Sequence, residues 1–388
     1  MSRGYLTEDV LVSWLQRFVR HPSEQTDQQE NDPHVRAFIA ECAAPLLDDL
    51  GLSYRFDEMG NLIMKWGSND AGRSLHFMTY AMTHPAANMT DPFSATLIDT
   101  PAGRAVRGRG VAEQKTAMAA AFGAVAEAVR TGDLRGELVL SVSTAGETGR
   151  HDAAQSIMNA LGERPDYAVI CVGTDGRVAT GNKGRVDFDL IVRGKTAHSS
   201  TPSNGINAIS GAWPLLRQLE DIDLMVAEHP EFGPATLTPT AIESGPRATH
   251  TVQDVVRVTF DRRVLPGENP QDCYDAIAAA VSVPEPWTLD RELGPVMYPN
   301  ETARDGAFMK LINRAYARAG SGGAMPFNSS FALDAGFFSQ LGTEAVMMGP
   351  GEIDQFHSNE EHVLVSDLTG MAHIFHELIT LCLSPGDA

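Results

Sequence analysis

From Gly108 to Gly149 the chain reads GRGVAEQKTAMAAAFGAVAEAVRTGDLRGELVLSVSTAGETG. A tight glycine loop, Gly108-Arg109-Gly110, opens the stretch. The alanine-rich run after it, about Gln114 to Val129, predicts a long helix. Leu138 to Val142 is a short apolar run that predicts a buried strand, and Gly146-Glu147-Thr148-Gly149 ends it in a turn. Outward from this unit lie more short apolar runs, at Leu62 to Met64, Leu75 to Met78 and Tyr167 to Cys171. Helical spacing appears from Glu8 to Arg20 (Val10, Leu11, Trp14, Leu15, Phe18) and again from Asp32 to Leu50, with Pro33 in the first turn. Strands alternating with helices predict an α/β fold, a central mixed sheet flanked by helices.

The pattern changes after Asn182. Arg185 to Val192 alternates strictly, with Val186, Phe188, Leu190 and Val192 on one face. A helix at Ile206 to Leu219, a second alternating strand at Val255 to Phe260 and a helix at Gln271 to Val281 complete an inserted α+β domain. The first style then returns, with a helix at Ala307 to Ala319, a strand at Glu344 to Met348 and a closing helix at Val365 to Leu383. The expected organisation is residues 1–182, an insert at 183–293, and 294–388 rejoining the first part. At 388 residues the chain is longer than one hydrophobic core usually grows, which suits two domains.

Thirty Lys and Arg stand against fifty Asp and Glu, a formal charge of −20. So negative a surface repels phosphate backbones and anionic lipid, and no nucleic acid or membrane partner is expected. Four scattered cysteines without a CxxC pair read as free thiols in a reducing, cytoplasmic setting. Glu8 and Asp9 interrupt the N-terminus, so no signal peptide is expected there, and no run approaches the ~20 apolar residues of a membrane span.

Three residues attract attention as metal ligands. Glu113 sits where the glycine loop enters the alanine-rich helix, and backbone N–H groups there keep a carboxylate ionised. Glu147 follows a strand, where open α/β sheets gather their ligands. His357 follows the strand Glu344 to Met348 through Gly349-Pro350-Gly351. Each alone reads as an ordinary cap, turn acid or surface histidine. Together, an imidazole and two carboxylates at the ends of separate strands suit one divalent transition metal, zinc or manganese, with positions left for water and substrate.

The order of motifs resembles the di-zinc aminoacylase, acetylornithine deacetylase, succinyl-diaminopimelate desuccinylase and glutamate carboxypeptidase group of metallopeptidases, over nearly the whole chain. Its carriers are Asp91-Pro92-Phe93, Gly108-Arg109-Gly110 through Lys115, Glu147-Thr148-Gly149, Gly194 through Pro202, and Gly205-Ile206-Asn207-Ala208. Arg263 with Pro266-Gly267-Glu268, Asp334-Ala335, and Gly349-Pro350-Gly351 with His357 complete the set. The resemblance implies a catalytic domain interrupted by a lid that also dimerises. It places Glu113 at a metal-bridging position and Glu147 and His357 at the ligands of one metal. His198 stands at a lid histidine that stabilises developing charge in the partner's active site. Asn207 and Arg263, with His250 as a further candidate, stand where family members hold the substrate, often by its carboxylate.

The departures are as informative. The family's His-x-Asp pair is here Tyr80-Ala81-Met82. Val172 occupies another carboxylate position, with Asp175 nearby but out of register. Gly146 occupies the place of the general-base glutamate. One metal's private ligands are thus absent while Glu113, Glu147 and His357 remain, which implies a one-metal enzyme acting on a small carboxylate-bearing substrate. Without that base, proton handling falls to the metal aided by Tyr80, His84 or His198. An electron-poor substrate suits such a site, so hydrolysis of an aromatic amine of the 5-nitroanthranilate kind is the leading expectation. An N-acyl amino acid deacylase or a peptidase is the alternative. An inactive homologue that binds a small molecule is the alternative from another class. A homodimer or higher oligomer through the insert is expected.

Overall fold

The computed structural model describes residues 4–68, 72–132, 134–146, 148–220, 222–224 and 228–384. In chain order, helix α1 (Glu8–Val19) is followed by a continuous helical run over 33–49 that widens to a π-helical turn at Phe38–Ala43. Strands β1 (Tyr54–Phe56), β2 (Leu62–Gly67), β3 (Ser74–Tyr80), β4 (Thr96–Thr100) and β5 (Gly103–Arg107) come next. Another π-helical turn, Val111–Lys115, leads into α2 (Thr116–Thr131). Then come β6 (Glu137–Ser143), α3 (Asp152–Leu161), β7 (Tyr167–Cys171) and β8 (Val178–Asn182). The insert carries β9 (Gly184–Arg193), α4 (Ala208–Glu220), β10 (Thr236–Gly245), β11 (Val255–Val264), α5 (Pro270–Ala280) and β12 (Thr288–Met297). The chain closes with α6 (Ala307–Arg318), β13 (Pro326–Ser329), α7 (Ala335–Gln340), β14 (Glu344–Met348), β15 (His362–Leu364) and α8 (Val365–Leu383).

Two compact units result. One comprises the chain up to Gly181, Glu301–Ser329 and the chain from Leu333 on; the other comprises Asn182–Asn300 and Ser330–Ala332. In the first, the central sheet runs β1-β2-β6-β3-β7-β14-β8. β6, β3, β7 and β14 are mutually parallel, and the antiparallel pairings β1–β2, β2–β6 and β14–β8 make the sheet mixed. Parallel strands send their C-terminal ends to one edge. The chain passes from β3 outward to β6 and back across to β7, so the order reverses beside β3, where open α/β sheets form their crevice. A second, three-stranded sheet, β15-β5-β4, pairs His362 with Arg107 and Val363 with Val106.

The alanines of α2 have a packing reason. Nearly every residue of this helix is buried, and a Cβ on Gly123 would overlap the Leu11 side chain of α1. Small residues let α2 lie against both α1 and α8. Phe18 anchors the seam, its ring edge-on to Phe38 at 5.9 Å and Phe122 at 5.4 Å.

The second unit is a four-stranded antiparallel sheet, β10-β11-β9-β12. Phe188, Leu190 and Val192 point inward from β9, against Val256, Val258 and Phe260 of β11 and against α4 and α5. Two of its strands have no counterpart in the sequence expectation. β10 is an exposed edge strand with Pro239 beside a register shift, and its pattern does not alternate. β12 is half exposed, with only Met297 fully buried. The β4–β5 hairpin also escapes sequence reasoning: β4 is mostly exposed, and of β5 only Ala105 and Val106 are buried, too short a run to mark a strand. Among the described residues, no helix is long and apolar enough to cross a membrane.

His76 on β3 is wholly buried. Its Nε2 lies 2.8 Å from Ser141 Oγ, and its Nδ1 has no partner. Burial pushes its pKa down to about 3, so the folded protein holds it neutral. The unfolded chain takes up the proton below the ordinary value of 6.5. Stability is therefore full above that pH and is lost as pH falls toward the folded value, at about 1 kcal/mol per pH unit. Urea unfolding of His76→Gln alongside the wild type at pH 7 and pH 5 is expected to show the wild type losing more on acidification. Parallel losses in the two proteins are the contrary result.

Candidate metal centre

Glu113 lies in the π-helical turn that precedes α2, just after Gly110, whose φ is +79°. A helix start leaves free N–H groups that need acceptors. Here the acceptor is Glu361. Its carboxylate receives Arg109 Nη1 at 2.7 Å, the Gly110 N–H at 3.0 Å and the Ala112 N–H at 2.9 Å, and both charged side chains are only 1% exposed. The Glu361 carbonyl also accepts from the Gly108 N–H at 3.1 Å. Burial pushes the Glu361 carboxyl up from its ordinary range, opposed by these N–H groups and by Arg109. The β5–β15 pairing brings the two segments into register for this contact.

On the other side, the ends of β7 and β14 crowd the same turn. The Gly173 N–H donates to the Glu113 carbonyl at 2.9 Å. A Cβ on Gly173 or Gly351 would overlap the Ala112 carbonyl oxygen. Glycine at both places lets three backbone segments meet where any side chain would wedge them apart.

His357 is carried to the same place by the loop after β14. Its φ is +60°, an uncommon conformation for a non-glycine residue and one that clusters at functional sites. Its Nε2 lies 3.0 Å from Glu113 Oε2. The His84 ring stacks on the His357 ring, centroids 3.8 Å apart and 16° from parallel. His84 Nδ1 lies 3.0 Å from the Pro85 carbonyl, which can only accept, so Nδ1 carries a proton. Two of the three expected ligands therefore converge, with His84 beside them. Glu147 lies outside the described residues. Among the described residues no group of three His, Cys, Asp or Glu side chains is arranged to hold a metal, so the donor set seen is the Glu113–His357 pair. A carboxylate and an imidazole in contact, backed by a buried backbone clamp, fit a divalent cation as two of its ligands.

The other candidates fall into three places. Tyr80, at the end of β3, is buried, and its hydroxyl donates to Asp334 at 2.7 Å; the acid–base role expected of Tyr80 therefore meets a phenol already committed to a carboxylate. Asp175 accepts from the Ile353 N–H at 2.6 Å and pairs with Arg177 at 2.6 Å, so its carboxylate braces the loop after β14. In the insert, the His198 and His250 rings are 5.8 Å apart, and His198 Nδ1 lies 2.8 Å from Ser200 Oγ. Asn207 Oδ1 accepts from the Ile209 N–H at 3.0 Å, opening α4. Arg263 is already paired with Asp261, at 2.9 and 3.1 Å, instead of presenting a lone guanidinium. Arg263 pairs with Arg185 at one end of β11, whereas Val255, near His198, pairs with Arg193 at the other. Eight residues of strand separate the two ends, roughly 26 Å. Within one subunit, therefore, Arg263 and the His198–His250 pair do not meet on one small molecule.

Gly146 explains the missing base. A Cβ there would lie 2.5 Å from the Met82 carbonyl oxygen and 3.1 Å from Met82 Cβ. Glu361 and Arg109 escape sequence reasoning, because their partners are backbone groups and each other across 252 positions.

Comparison with known proteins gives a consistent setting. Residues 180–288 match the family model described as the peptidase dimerisation domain of the M20 group. An acetylornithine deacetylase of Myxococcus xanthus is 28% identical over 333 residues, covering 83% of this chain and 82% of that protein. A succinyl-diaminopimelate desuccinylase of Stutzerimonas stutzeri is 24% identical over 308 residues, 76% of this chain and 77% of the relative. The crystal structure of an M20 family metallo-carboxypeptidase from Sulfolobus solfataricus superposes with a TM-score of 0.75 at 15% identity, covering 96% of this chain and 98% of that one.

Gly146→Glu, which returns a carboxylate to the family's base position, is expected to lower the melting temperature by on the order of 5 °C through overpacking against Met82 and to add no hydrolytic rate. A stable and faster variant is the opposite outcome, and calorimetry with a turnover assay separates the two.

Proposed function

Because the chain belongs to the M20 peptidase family, with that family's dimerisation domain in the insert, we propose that it is a metal-dependent hydrolase of a small N-acyl amino acid or peptide. The bond broken is an amide beside a carboxylate. The observation that carries this reading is the convergence of Glu113 and His357, 3.0 Å apart, at the edge where the four parallel strands end. Sequence relatives with deacylase and desuccinylase names support the amide as substrate.

Glu113, His357 and, as third ligand, Glu147 would hold one zinc or manganese ion. That ion would supply Lewis-acid polarisation of the carbonyl and lower the pKa of water at the site. The chain's own residues do the rest. Glu361 keeps Glu113 in place, and the glycines of the β7 and β14 ends keep His357 against it. His84 covers one face of the His357 ring and restricts its rotation.

We also propose that the active form is a homodimer. Ile209 and Trp213 lie one turn apart on α4 and are exposed, as is Ile242 on the open edge strand β10, so the insert presents apolar surface and unpaired backbone. Cytoplasmic placement is supported by four buried cysteines, none in a disulfide.

Hydrolysis of an aromatic amine is the second reading. Gly146 favours it, since no carboxylate base can stand there and an electron-poor ring needs less help than an amide. The comparisons add no support to it.

The test is a substrate panel with the metal-loaded enzyme. Primary amine should be released from N-acetyl or N-succinyl amino acids, with loss on chelation and recovery on adding manganese or zinc. Ammonia from 5-nitroanthranilate, with no N-acyl turnover, replaces the first reading with the second. Bound metal with no turnover of either class returns the protein to an inactive binding homologue.

Elemental analysis should find about one metal ion per chain, the count a single ligand set implies. Glu147→Ala and His357→Ala should each lose the metal and reduce activity by more than the ~10–100-fold typical of residues that only support ligands. Retention of full activity in Glu147→Ala removes the site as described.

A further inference from the structure

Asp334 bridges two side chains far apart in sequence. Tyr80 Oη donates to one carboxylate oxygen at 2.7 Å, and His151 Nδ1 lies 2.6 Å from the other. All three residues are buried, and the Phe337 ring lies 5.5 Å from the imidazole. Burial, reinforced by Asp334, pushes the Tyr80 phenol well above its ordinary range, so it stays protonated and donates. An ionised carboxylate has only lone pairs to offer, so His151 must donate as well. Its Nδ1 therefore carries a proton, and Nε2 is the nitrogen at which proton transfer can occur. This is the arrangement of a base held in one tautomer by an orienting carboxylate.

The position is as informative as the tautomer. Tyr80 ends β3, opposite Ser143 at the end of β6. On its other side, Met78 pairs with Ile170, which sets Tyr80 level with Val172, the residue before Gly173. Gly173 N–H holds the Glu113 carbonyl, and neighbouring strands are ~4.8 Å apart. His151 lies between Gly146, just past β6, and α3, where its carbonyl accepts the Gln155 N–H at 2.8 Å. An imidazole of fixed tautomer thus stands at the same sheet edge as Glu113 and His357. It sits on the very loop whose Gly146 lacks a carboxylate. His84 is less suited to the task, since its ring is stacked on His357 and belongs with the ligands.

We propose that His151 is the proton-transfer residue of the hydrolysis put forward above, with Asp334 and Tyr80 as positioning residues; the assignment rests on that reading of the site. His151 Nε2 takes a proton from the attacking water as its oxygen bonds to the amide carbon. The same proton passes to the amine nitrogen as the C–N bond breaks. One water is consumed, an acid and an amine leave, and the imidazole ends in the state in which it began.

The experiment uses the metal-loaded enzyme and its best N-acyl substrate, with metal content and thermal unfolding measured for every variant. His151→Ala should lower kcat by ~10²–10⁴-fold with KM and metal content held, and added imidazole should restore part of the rate. Asp334→Asn should lower kcat at unchanged KM by releasing the tautomer, and Tyr80→Phe should do so more weakly. His151→Gln, which keeps a donor for Asp334, serves if the alanine variant fails to fold. A kcat within about threefold of the wild type in either His151 variant overturns the proposal. So does loss of metal from a folded His151 variant, or no response to imidazole in folded, loaded His151→Ala. Failure of the amide reading shows in the wild type alone; the same variants are then assayed for ammonia release from 5-nitroanthranilate under the same criteria. A loaded wild type inert toward both substrates overturns both proposals.

Discussion

A single buried carboxylate, Glu361, sets the geometry around it. Three N–H donors converge on its oxygens, from Arg109, Gly110 and Ala112, and its own carbonyl takes a fourth from Gly108. A charge in so dry a place is costly unless every lone pair is used, and removing one partner of such a pair typically costs about 3–5 kcal/mol. That cost makes the contact decisive. It forces Gly108–Ala112 to lie against the strand that comes after the His357 loop. From the turn so fixed, Glu113 Oε2 lies 3.0 Å from His357 Nε2. The turn has a second lock on its far side, where Gly173 and Gly351 admit the Ala112 carbonyl. A side-chain pair can be held rigid in this way with neither member supplying the rigidity.

Much of the fold is legible in the sequence because periodicity reports burial. The closing helix reads as Val365 to Leu383 and is found at Val365–Leu383. The alternation of Val186, Phe188, Leu190 and Val192 matches the inward face of β9. The strands that escape such a reading are those the core does not cover. β4 and β10 expose most of their residues and β12 half of them, and nothing in a solvated strand demands alternation. α3 escapes it too, although its Ala153, Ala154, Ile157 and Met158 form a buried face.

The candidate site is legible in its Glu113–His357 pair and opaque in the supports of that pair. Glu113 and His357 are framed by glycines, because backbone segments meet there, and glycines are visible in a sequence. Glu361 acts on peptide N–H groups, which have no sequence signature at all. The Asp334–His151 bond joins positions 183 residues apart. Nothing local marks either residue, and only the meeting of β3, the β6 loop and the start of α7 reveals the pair. The pairing of Arg263 with Asp261 is a local matter by comparison. An arginine two places from an aspartate on one strand face finds its partner at home.

The two π-helical turns meet. Lys115, the last residue of one, places its ammonium 4.5 Å from the ring centre of Phe38, the first residue of the other, and donates to the Phe18 and His21 carbonyls. Each wide turn carries one more residue than an α-helical turn would, and each extra residue rotates the downstream chain by roughly 100°. The helical run over 33–49 and the segment bearing Glu113 are thus coupled by residue count as well as by contact. Insertions and deletions are commonly regarded as harmless away from an active site. Here the helical run over 33–49, distant from Glu113 in sequence, packs through Phe38 on the turn that carries Glu113, so a change of length near Phe38 acts on that turn as well.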